Sequence, residues 1–172
     1  FVRYQRDGVP PFRALVMDYP DDPEVANLDS QFLVGDDLLV APIISQRRVV
    51  RTAVGQAPAG DHEPDEHAGR ATRSVYLPEG AWCEFWTGAR HEGGQRIEVT
   101  VPLDQIPLFV KDGTVLPLAR PTLHTDDPRS RELLVIVFGN GSQAATLYDD
   151  DGSATPSLAP VTISWDAARH AG

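Results

Sequence analysis

Hydrophobic and polar residues alternate along several short stretches of the chain. The clearest is QRIEVTVPL, where Ile97, Val99 and Val101 alternate with polar residues. A period of two predicts a half-buried strand, because successive side chains point to opposite faces of a sheet. Similar stretches follow one another at short intervals: SVYLP, AWCEFWTG, ELLVIVFGN, QAATLYD and PVTISWDA. Many short strands with turns between them predict a mostly β protein built as a β-sandwich.

Two longer apolar runs stand near the start of the chain. PFRALVMDYP predicts a buried strand between prolines, and DLLVAPII predicts a strand covered on both faces. Between them, the stretch DDPEVANLDSQFLVG predicts a short helix with Asp21 or Asp22 as its cap and Pro23 in its first turn. Further on, PLFVKDGTVLPL predicts two strands joined by a tight turn at Asp112-Gly113.

The strand pattern breaks in two places. Residues 46–73 are polar and rich in proline, glycine and charge, which predicts a long mobile surface loop. The stretch ARPTLHTDDPRSRE separates the earlier strands from ELLVIVFGN and predicts a domain boundary.

The net charge of the chain argues against two classes of binding partner. The 172 residues carry a net charge of −10, which argues against nucleic acid or an anionic membrane as a partner, since both require a basic face. No apolar run is long enough to span a membrane. Cys83 is the only cysteine, so an internal disulfide is impossible, and its aromatic neighbours suggest a packed thiol. The oligomeric state and the compartment stay open.

Acidic and histidine clusters offer weak candidates for chemistry. The Asp149–Asp151 triplet does not fit the register of a calcium loop and is typical of a hairpin turn. In HEPDEH, His62 and His67 are five residues apart with Pro64 between them, which does not fit a zinc-binding helix. We therefore expect no metal site. Asp18 is the remaining candidate, because a carboxylate at the end of a strand is where barrel enzymes place their chemistry.

Two tryptophans raise the question of sugar binding. Trp82 and Trp86 precede a glycine-rich turn and could form an aromatic platform for a carbohydrate. Aromatic residues on sandwich strands are more often part of the core, and we expect that role here.

Several motifs, in order, resemble glycoside hydrolase family 31, which contains α-glucosidases and α-xylosidases. They are RALVMDYPDDPEVANLDSQFLVGDDLLVAPII, VYLPEGAWCEFWTG, VPLDQIPLFVKDGTVLPL and LYDDDG. The resemblance implies a C-terminal fragment of a retaining α-glycosidase that acts on α-glucosides or α-xylosides. It also implies that the substrate binds in a (β/α)8 barrel encoded upstream, and it implies no cofactor. No catalytic residue of the family can be placed on a position of this chain, so we expect the fragment itself to be inactive.

The resemblance also implies an order of domains. Residues 1–30 would be the end of the barrel, including its last strand and helix. Residues 31–122 would form a proximal β-sandwich, and residues 131–172 would be the truncated start of a distal β domain. The alternative is a free-standing carbohydrate-binding β-sandwich that uses Trp82 and Trp86.

Overall fold

The computed structural model describes residues 2–44, 70–102, 104–124, 127–141, 143–149 and 159–169. The chain is mostly β. Its first elements, in chain order, are helix α1 (Val2–Asp7) and strands β1 (Phe12–Ala14), β2 (Phe32–Val34), β3 (Leu38–Val40), β4 (Arg70–Leu77), β5 (Ala81–Glu84) and β6 (Arg90–Glu92). They are followed by β7 (Gln95–Pro102), β8 (Leu108–Lys111), β9 (Val115–Ala119), β10 (Leu133–Val137), β11 (Gln143–Asp149) and β12 (Ala159–Trp165). Short 3₁₀ turns lie at Leu15–Met17, Pro128–Arg131 and Ala167–Arg169.

Six strands form the main sheet, in the order β1-β2-β3-β8-β5-β6. Every neighbouring pair in this sheet is antiparallel. Strands β4 and β7 pair over eight residues as a second antiparallel layer.

The hydrophobic core lies between these two layers. Leu33, Leu39, Trp82 and Phe109 of the main sheet are fully buried in one cluster with residues of β4 and β7. In β7, Val99 and Val101 are buried and their polar neighbours are exposed, as the alternation predicts. Burial of one face of each layer is what a sandwich requires, so the predicted fold is confirmed.

A smaller cluster lies on the other face of the main sheet, where Cys83, Val110 and Phe138 pack together with Leu38 alongside. Leu39, the next residue of β3, is buried in the main core. Strand β3 is therefore covered on both faces, as the apolar run DLLVAPII predicts.

The first strand is shorter than predicted. Only Phe12–Ala14 is extended, and Leu15–Met17 then turn as a 3₁₀ helix. Strand β1 pairs antiparallel with β2 in the main sheet, whereas the strands of a (β/α)8 barrel have parallel neighbours, and the assignment of residues 1–30 to the end of a barrel stays a prediction. The predicted short helix is also absent, since residues 23–27 form consecutive turns.

The Asp112-Gly113 turn is present, but the strands on either side of it do not form a hairpin. Strand β8 joins the main sheet, whereas β9 pairs with β10 over five residues. The predicted domain boundary between residues 122 and 131 therefore falls on the connection between two paired strands.

The C-terminal strands behave as predicted. Strands β11 and β12 pair antiparallel from Gln143 opposite Trp165 to Asp149 opposite Ala159. The predicted turn at Asp150 and Asp151 lies outside the described residues, and so do residues 46–69 of the predicted loop. Residues 70–73, the predicted end of that loop, instead belong to β4.

Candidate functional site

Asp18, the carboxylate that the sequence singles out, is paired with a buried arginine. It follows the 3₁₀ turn, and its Oδ2 accepts a hydrogen bond of 2.9 Å from Nε of Arg13. The Arg13 side chain is 4% exposed, and that of Asp18 is 32% exposed. A buried guanidinium requires a carboxylate partner, so Asp18 stabilises the buried charge of Arg13.

Arg13 has a second carboxylate partner in Asp36. Its terminal nitrogen donates to Oδ1 of Asp36 over 2.9 Å, and Arg3 also pairs with Asp36. Burial acts to raise the pKa of Asp36, but the hydrogen bonds from Arg3 and Arg13 outweigh it and lower that pKa below its ordinary value. We call these four residues, Arg3, Arg13, Asp18 and Asp36, the Arg13 cluster. It ties α1 and β1 to the turn after β2.

Sequence reasoning found Asp18 but missed the rest of the cluster. A signal was available, because Arg13 is the one charged residue in the apolar run PFRALVM. A charge on the buried face of a strand must have a partner. Nothing in the sequence identified that partner as Asp36, which lies after a different strand.

An acidic cleft of about 400 Å³ lies beside Asp18 and is lined by Tyr19, Asp21, Asp22 and Glu79 among others. The Tyr76 hydroxyl donates to Oδ2 of Asp22 over 2.6 Å. Oδ1 of Asp22 accepts the backbone N–H of Glu24 at 3.0 Å, so Asp22 caps a turn rather than a helix. Asp18 thus links the 3₁₀ turn to Arg13 of β1, and Asp22 links the turns that follow to Tyr76 of β4.

The hydrogen bond to Asp22 and the burial of the ring also change the pKa of Tyr76. It is 5% exposed, and its hydroxyl lies against Asp22. Burial, and then the hydrogen bond to Asp22, raise the pKa of Tyr76 to about 12. The phenol is therefore neutral and donates a hydrogen bond at neutral pH.

The two tryptophans of the possible sugar platform have different environments. Trp82 is 0% exposed, and its Nε1 donates to the carbonyl of Pro78 over 2.8 Å, so its predicted place in the core is confirmed. Trp86 is 45% exposed, and its Nε1 donates to the carbonyl of Ile106 over 2.7 Å. Only Trp86 presents a ring to solvent.

Cys83 is a buried free thiol, as its aromatic neighbours suggest. Burial, followed by the charge of Asp112, raises the pKa of the thiol, and Arg90 opposes this in part. The thiolate form is disfavoured, which is the opposite of what a cysteine nucleophile requires.

In the described part of the chain, no group of three or more His, Cys, Asp or Glu side chains is placed to hold a metal ion. His62 and His67 lie outside the described residues. Among the helices that the structure describes, none is long and apolar enough to cross a membrane.

The fold is an antiparallel β-sandwich with further pairs of strands after it. Comparison with known proteins identifies the family of the chain. The model of the glycosyl hydrolase family 31 C-terminal domain matches residues 8–116. The chain therefore belongs to glycoside hydrolase family 31.

Curated relatives are similar over most of this chain. Alpha-glucosidase 2 of Bacillus thermoamyloliquefaciens is 33% identical over 153 residues, which are 88% of this chain and 17% of the relative. The alpha-xylosidase of Saccharolobus solfataricus is 33% identical over 141 residues, which are 81% of this chain and 16% of the relative. The chain thus spans about one sixth of the length of these relatives.

Solved structures give the same assignment. The GH31 dextranase of Flavobacterium johnsoniae, complexed with glucose, matches with a TM-score of 0.73 and 31% identity, over 96% of this chain and 19% of that one. The GH31 alpha-xylosidase of Xanthomonas citri matches with a TM-score of 0.68 and 33% identity, over 96% of this chain and 16% of that one.

Proposed function

We propose that this chain is the C-terminal β part of a retaining α-glycosidase that hydrolyses α-glucosides or α-xylosides. The family membership and the names of the relatives, alpha-glucosidase and alpha-xylosidase, support this proposal. The longer protein, called the intact enzyme below, would carry a catalytic barrel before residue 8. Its substrate would be an oligosaccharide or another glycoside bound in that barrel.

The chemistry would be a double displacement by two carboxylates of the barrel. One attacks the anomeric carbon. The other first protonates the leaving oxygen and then activates water, so the sugar is released with its configuration retained. The residues of this chain would contribute by supporting the barrel.

One observation carries the structural role: across strands β1, β2, β3 and β8, the outer face of the main sheet is apolar and only partly covered. By strand register, the outer face of these four strands consists of the residues that alternate with the core residues: Phe12, Ala14, Phe32, Val34, Leu38, Val40, Leu108 and Val110. The same face continues with Ala81 and Cys83 of β5 and with the charged residues Arg90 and Glu92 of β6. An antiparallel sheet with one face in water normally carries polar residues there. This sheet has the composition of one that is covered on both sides.

The C-terminal strands cover only one end of the outer face. Leu38 and Val110 pack against Phe138 and its neighbours. At the other end, Phe12 is 62% exposed and contacts Phe32 with ring centroids 6.3 Å apart, and Met17, just beyond β1, is 56% exposed. An exposed apolar patch such as the one that Phe12 and Phe32 form is typical of an interaction surface. We propose that the catalytic barrel covers it.

The pairing of the strands suggests where the domains divide. We propose that the sandwich begins near residue 8, because β1 belongs to its main sheet and the family model starts there. We propose that the second β domain begins with β9, because β9 pairs with β10 and not with the main sheet. The Asp112-Gly113 turn would then be the connection between the two domains.

Asp18 would act in the intact enzyme as a partner of Arg13 and not as a group that touches substrate. The test is Asp18→Asn in the intact enzyme. We expect a lower melting temperature and a change in kcat well below a hundredfold. A loss of more than about a hundredfold with unchanged folding, near 3 kcal/mol of transition-state stabilisation, would instead assign Asp18 to the active site.

The proposal as a whole is tested by assaying the chain and the intact enzyme in parallel with aryl α-glucoside and aryl α-xyloside. We expect turnover only by the intact enzyme, and proton NMR of its first turnovers should show the α-anomer. Turnover by the chain alone that is abolished by a substitution within it, or an initial β-product, would refute the proposal.

The alternative is a free-standing carbohydrate-binding module. Burial of Trp82 removes one of the two rings on which it depended. The coding sequence upstream of Phe1 decides between the two: a barrel with an Asp-bearing strand motif supports the enzyme, and a start codon directly before Phe1 supports the module.

A further inference from the structure

A polar groove of about 590 Å³ lies where the sandwich meets the strands that follow it. Its lining includes Arg90 and Asp112 from the sandwich side, and Asn140 and Gln143 from the connection between β10 and β11. The backbone of Gly113 and Gly139 forms part of its wall. The volume falls within the range of about 300–1,000 Å³ that is usual for small-molecule sites. None of these residues has a task in the proposed catalytic function.

The walls of the groove fit closely against each other. The backbone N–H of Gly113 donates to the carbonyl of Phe138 over 2.8 Å, and the N–H of Phe138 donates to Thr114 over 2.9 Å. A Cβ at Gly139 would lie 2.1 Å from Oδ1 of Asp112, so no larger residue fits there without movement. The Asp112-Gly113 turn and the loop after β10 are thus fixed relative to one another, and the groove is preformed.

The charges of the groove largely cancel. Nε of Arg90 donates to Oδ2 of Asp112 over 2.7 Å, and Arg90 also pairs with Glu92. Asn140 and Gln143 are neutral amides that can both donate and accept hydrogen bonds, and the remaining lining side chain, Cys83, is a neutral thiol. This set has little attraction for a free anion or cation. It matches a neutral ligand with many hydroxyl groups, each of which donates one hydrogen bond and accepts others.

An exposed aromatic residue, Trp86, is near the groove in the chain. Trp86 precedes Gly88, a lining residue, by two positions, so their Cα atoms are no more than about 7.6 Å apart. The ring is held by its hydrogen bond to Ile106 and by an edge-on contact with Phe85 at 4.9 Å between centroids. A fixed, half-exposed indole beside polar side chains suits the C–H face of a sugar ring.

From these observations we propose that the groove, with Trp86 at its edge, binds a neutral saccharide outside any catalytic barrel. The four polar side chains bind hydroxyl groups, and Trp86 contacts the apolar face of a sugar ring. This proposal goes beyond the proposed catalytic function and does not depend on it, because binding at the groove requires no hydrolysis.

The test is an NMR titration of the ¹⁵N-labelled 172-residue chain with isomaltotriose. We expect saturable shift changes at the backbone amides of Gly113, Gly139 and Gly141, with a Kd of about 1 mM. Asn140→Ala, Gln143→Ala and Trp86→Ala should each weaken binding at least about tenfold. The matched control is Asn27→Ala, an exposed amide in the turns after Asp22, which should leave the affinity unchanged.

A second measurement uses the intact enzyme, where folding of the chain alone is not required. Electrophoresis in gels containing dextran should show retardation that Asn140→Ala and Trp86→Ala reduce and Asn27→Ala does not. Shift changes that are absent or lie elsewhere, or groove variants retarded as strongly as the control, would overturn the proposal. Reduced retardation in an enzyme that hydrolyses no α-glycoside would refute the catalytic proposal and leave this one standing.

Discussion

At the scale of single residues, Trp82 and Trp86 form a natural comparison between a buried and an exposed indole. Trp82 is 0% exposed and Trp86 is 45% exposed, yet each donates one hydrogen bond to a backbone carbonyl. We expect Trp82→Ala to lower the free energy of unfolding by about 3–5 kcal/mol, because it leaves a cavity in the core. Trp86→Ala should cost about 1 kcal/mol, near the value of its hydrogen bond. Guanidinium unfolding measures both, and similar midpoints would contradict the assignment of Trp82 to the core.

Tyr76 gives the chain a pH dependence at the alkaline end. Its pKa is raised from about 10 in an unfolded chain to about 12 in the fold. A raised pKa means that the folded state holds the proton more tightly. The stabilisation is therefore complete below about pH 10 and is lost as the pH rises towards about 12.

The measurement for Tyr76 is the denaturant midpoint of the chain as a function of pH. We expect the loss of stability between about pH 10 and 12 to be smaller in Tyr76→Phe, which has no proton to release. Asp22→Asn should shift the ionisation of Tyr76 to lower pH, because it removes the negative charge that opposes formation of the phenolate. Identical alkaline profiles in the parent chain and Tyr76→Phe would contradict this prediction.

At the scale of elements, the turn between β6 and β7 is fitted closely to the turn before β5. The N–H of Gly93 donates to the carbonyl of Gly80 over 2.6 Å, and a Cβ at Gly93 would lie 1.9 Å from the carbonyl oxygen of Pro78. We expect Gly93→Ala to lower the free energy of unfolding by at least about 3 kcal/mol, the upper end of the usual cost of overpacking, since backbone must move to relieve the overlap. Gly35→Ala is the control, with a positive φ but open space around its Cβ, and should cost only about 1–2 kcal/mol. Equal melting temperatures for the two variants would contradict the close fit.

Strand prediction from the sequence succeeded where burial follows the strand period. In β7 one face is buried and one is exposed, and its apolar and polar residues alternate accordingly. In β3 both faces are covered, and its residues are apolar throughout. It failed for β6, whose sequence is Arg-His-Glu, because three polar residues carry no periodic signal and are extended only through pairing with β5. It also failed for Leu15–Met17, where apolar side chains do not distinguish a 3₁₀ turn from a strand.

The local sequence pattern could not predict which strands pair with each other when they are far apart in the chain. The Asp-Gly turn was found from its residues, but whether β8 and β9 pair with each other depends on partners elsewhere in the chain. The same limit applies to the candidate site. Asp18 could be selected as an acidic residue after a strand, whereas its place beside a buried Arg13 with Asp36 depends on how β1 and β2 come together.

At the scale of the whole molecule, the main sheet is apolar on its inner face and, across β1, β2, β3 and β8, on its outer face as well, but only the inner face has a complete partner. The second layer covers the inner face, and the strands after β8 cover one end of the outer face. The exposed end includes β1, which follows α1 in the chain and carries Arg13, the centre of the Arg13 cluster. That position places the uncovered apolar surface at the point where the proposed catalytic barrel would join the chain.

Phe12 tests this arrangement, because its burial should differ between the chain and the intact enzyme. In the chain alone Phe12 is 62% exposed, so Phe12→Asp should change its melting temperature little. In the intact enzyme the barrel would cover Phe12, and the same substitution should lower stability by at least about 1.5–3 kcal/mol, the value of burying a Phe side chain. Thr72→Asp, on the exposed side of β4, is the control and should have a small effect in both proteins.

The ratio of the stability lost through Phe12→Asp in the intact enzyme to that lost in the chain alone separates docking from local folding. A residue that is needed only to form β1 would destabilise both proteins alike. Equal, small effects of Phe12→Asp in both proteins would show that the outer face is not the surface on which the barrel packs.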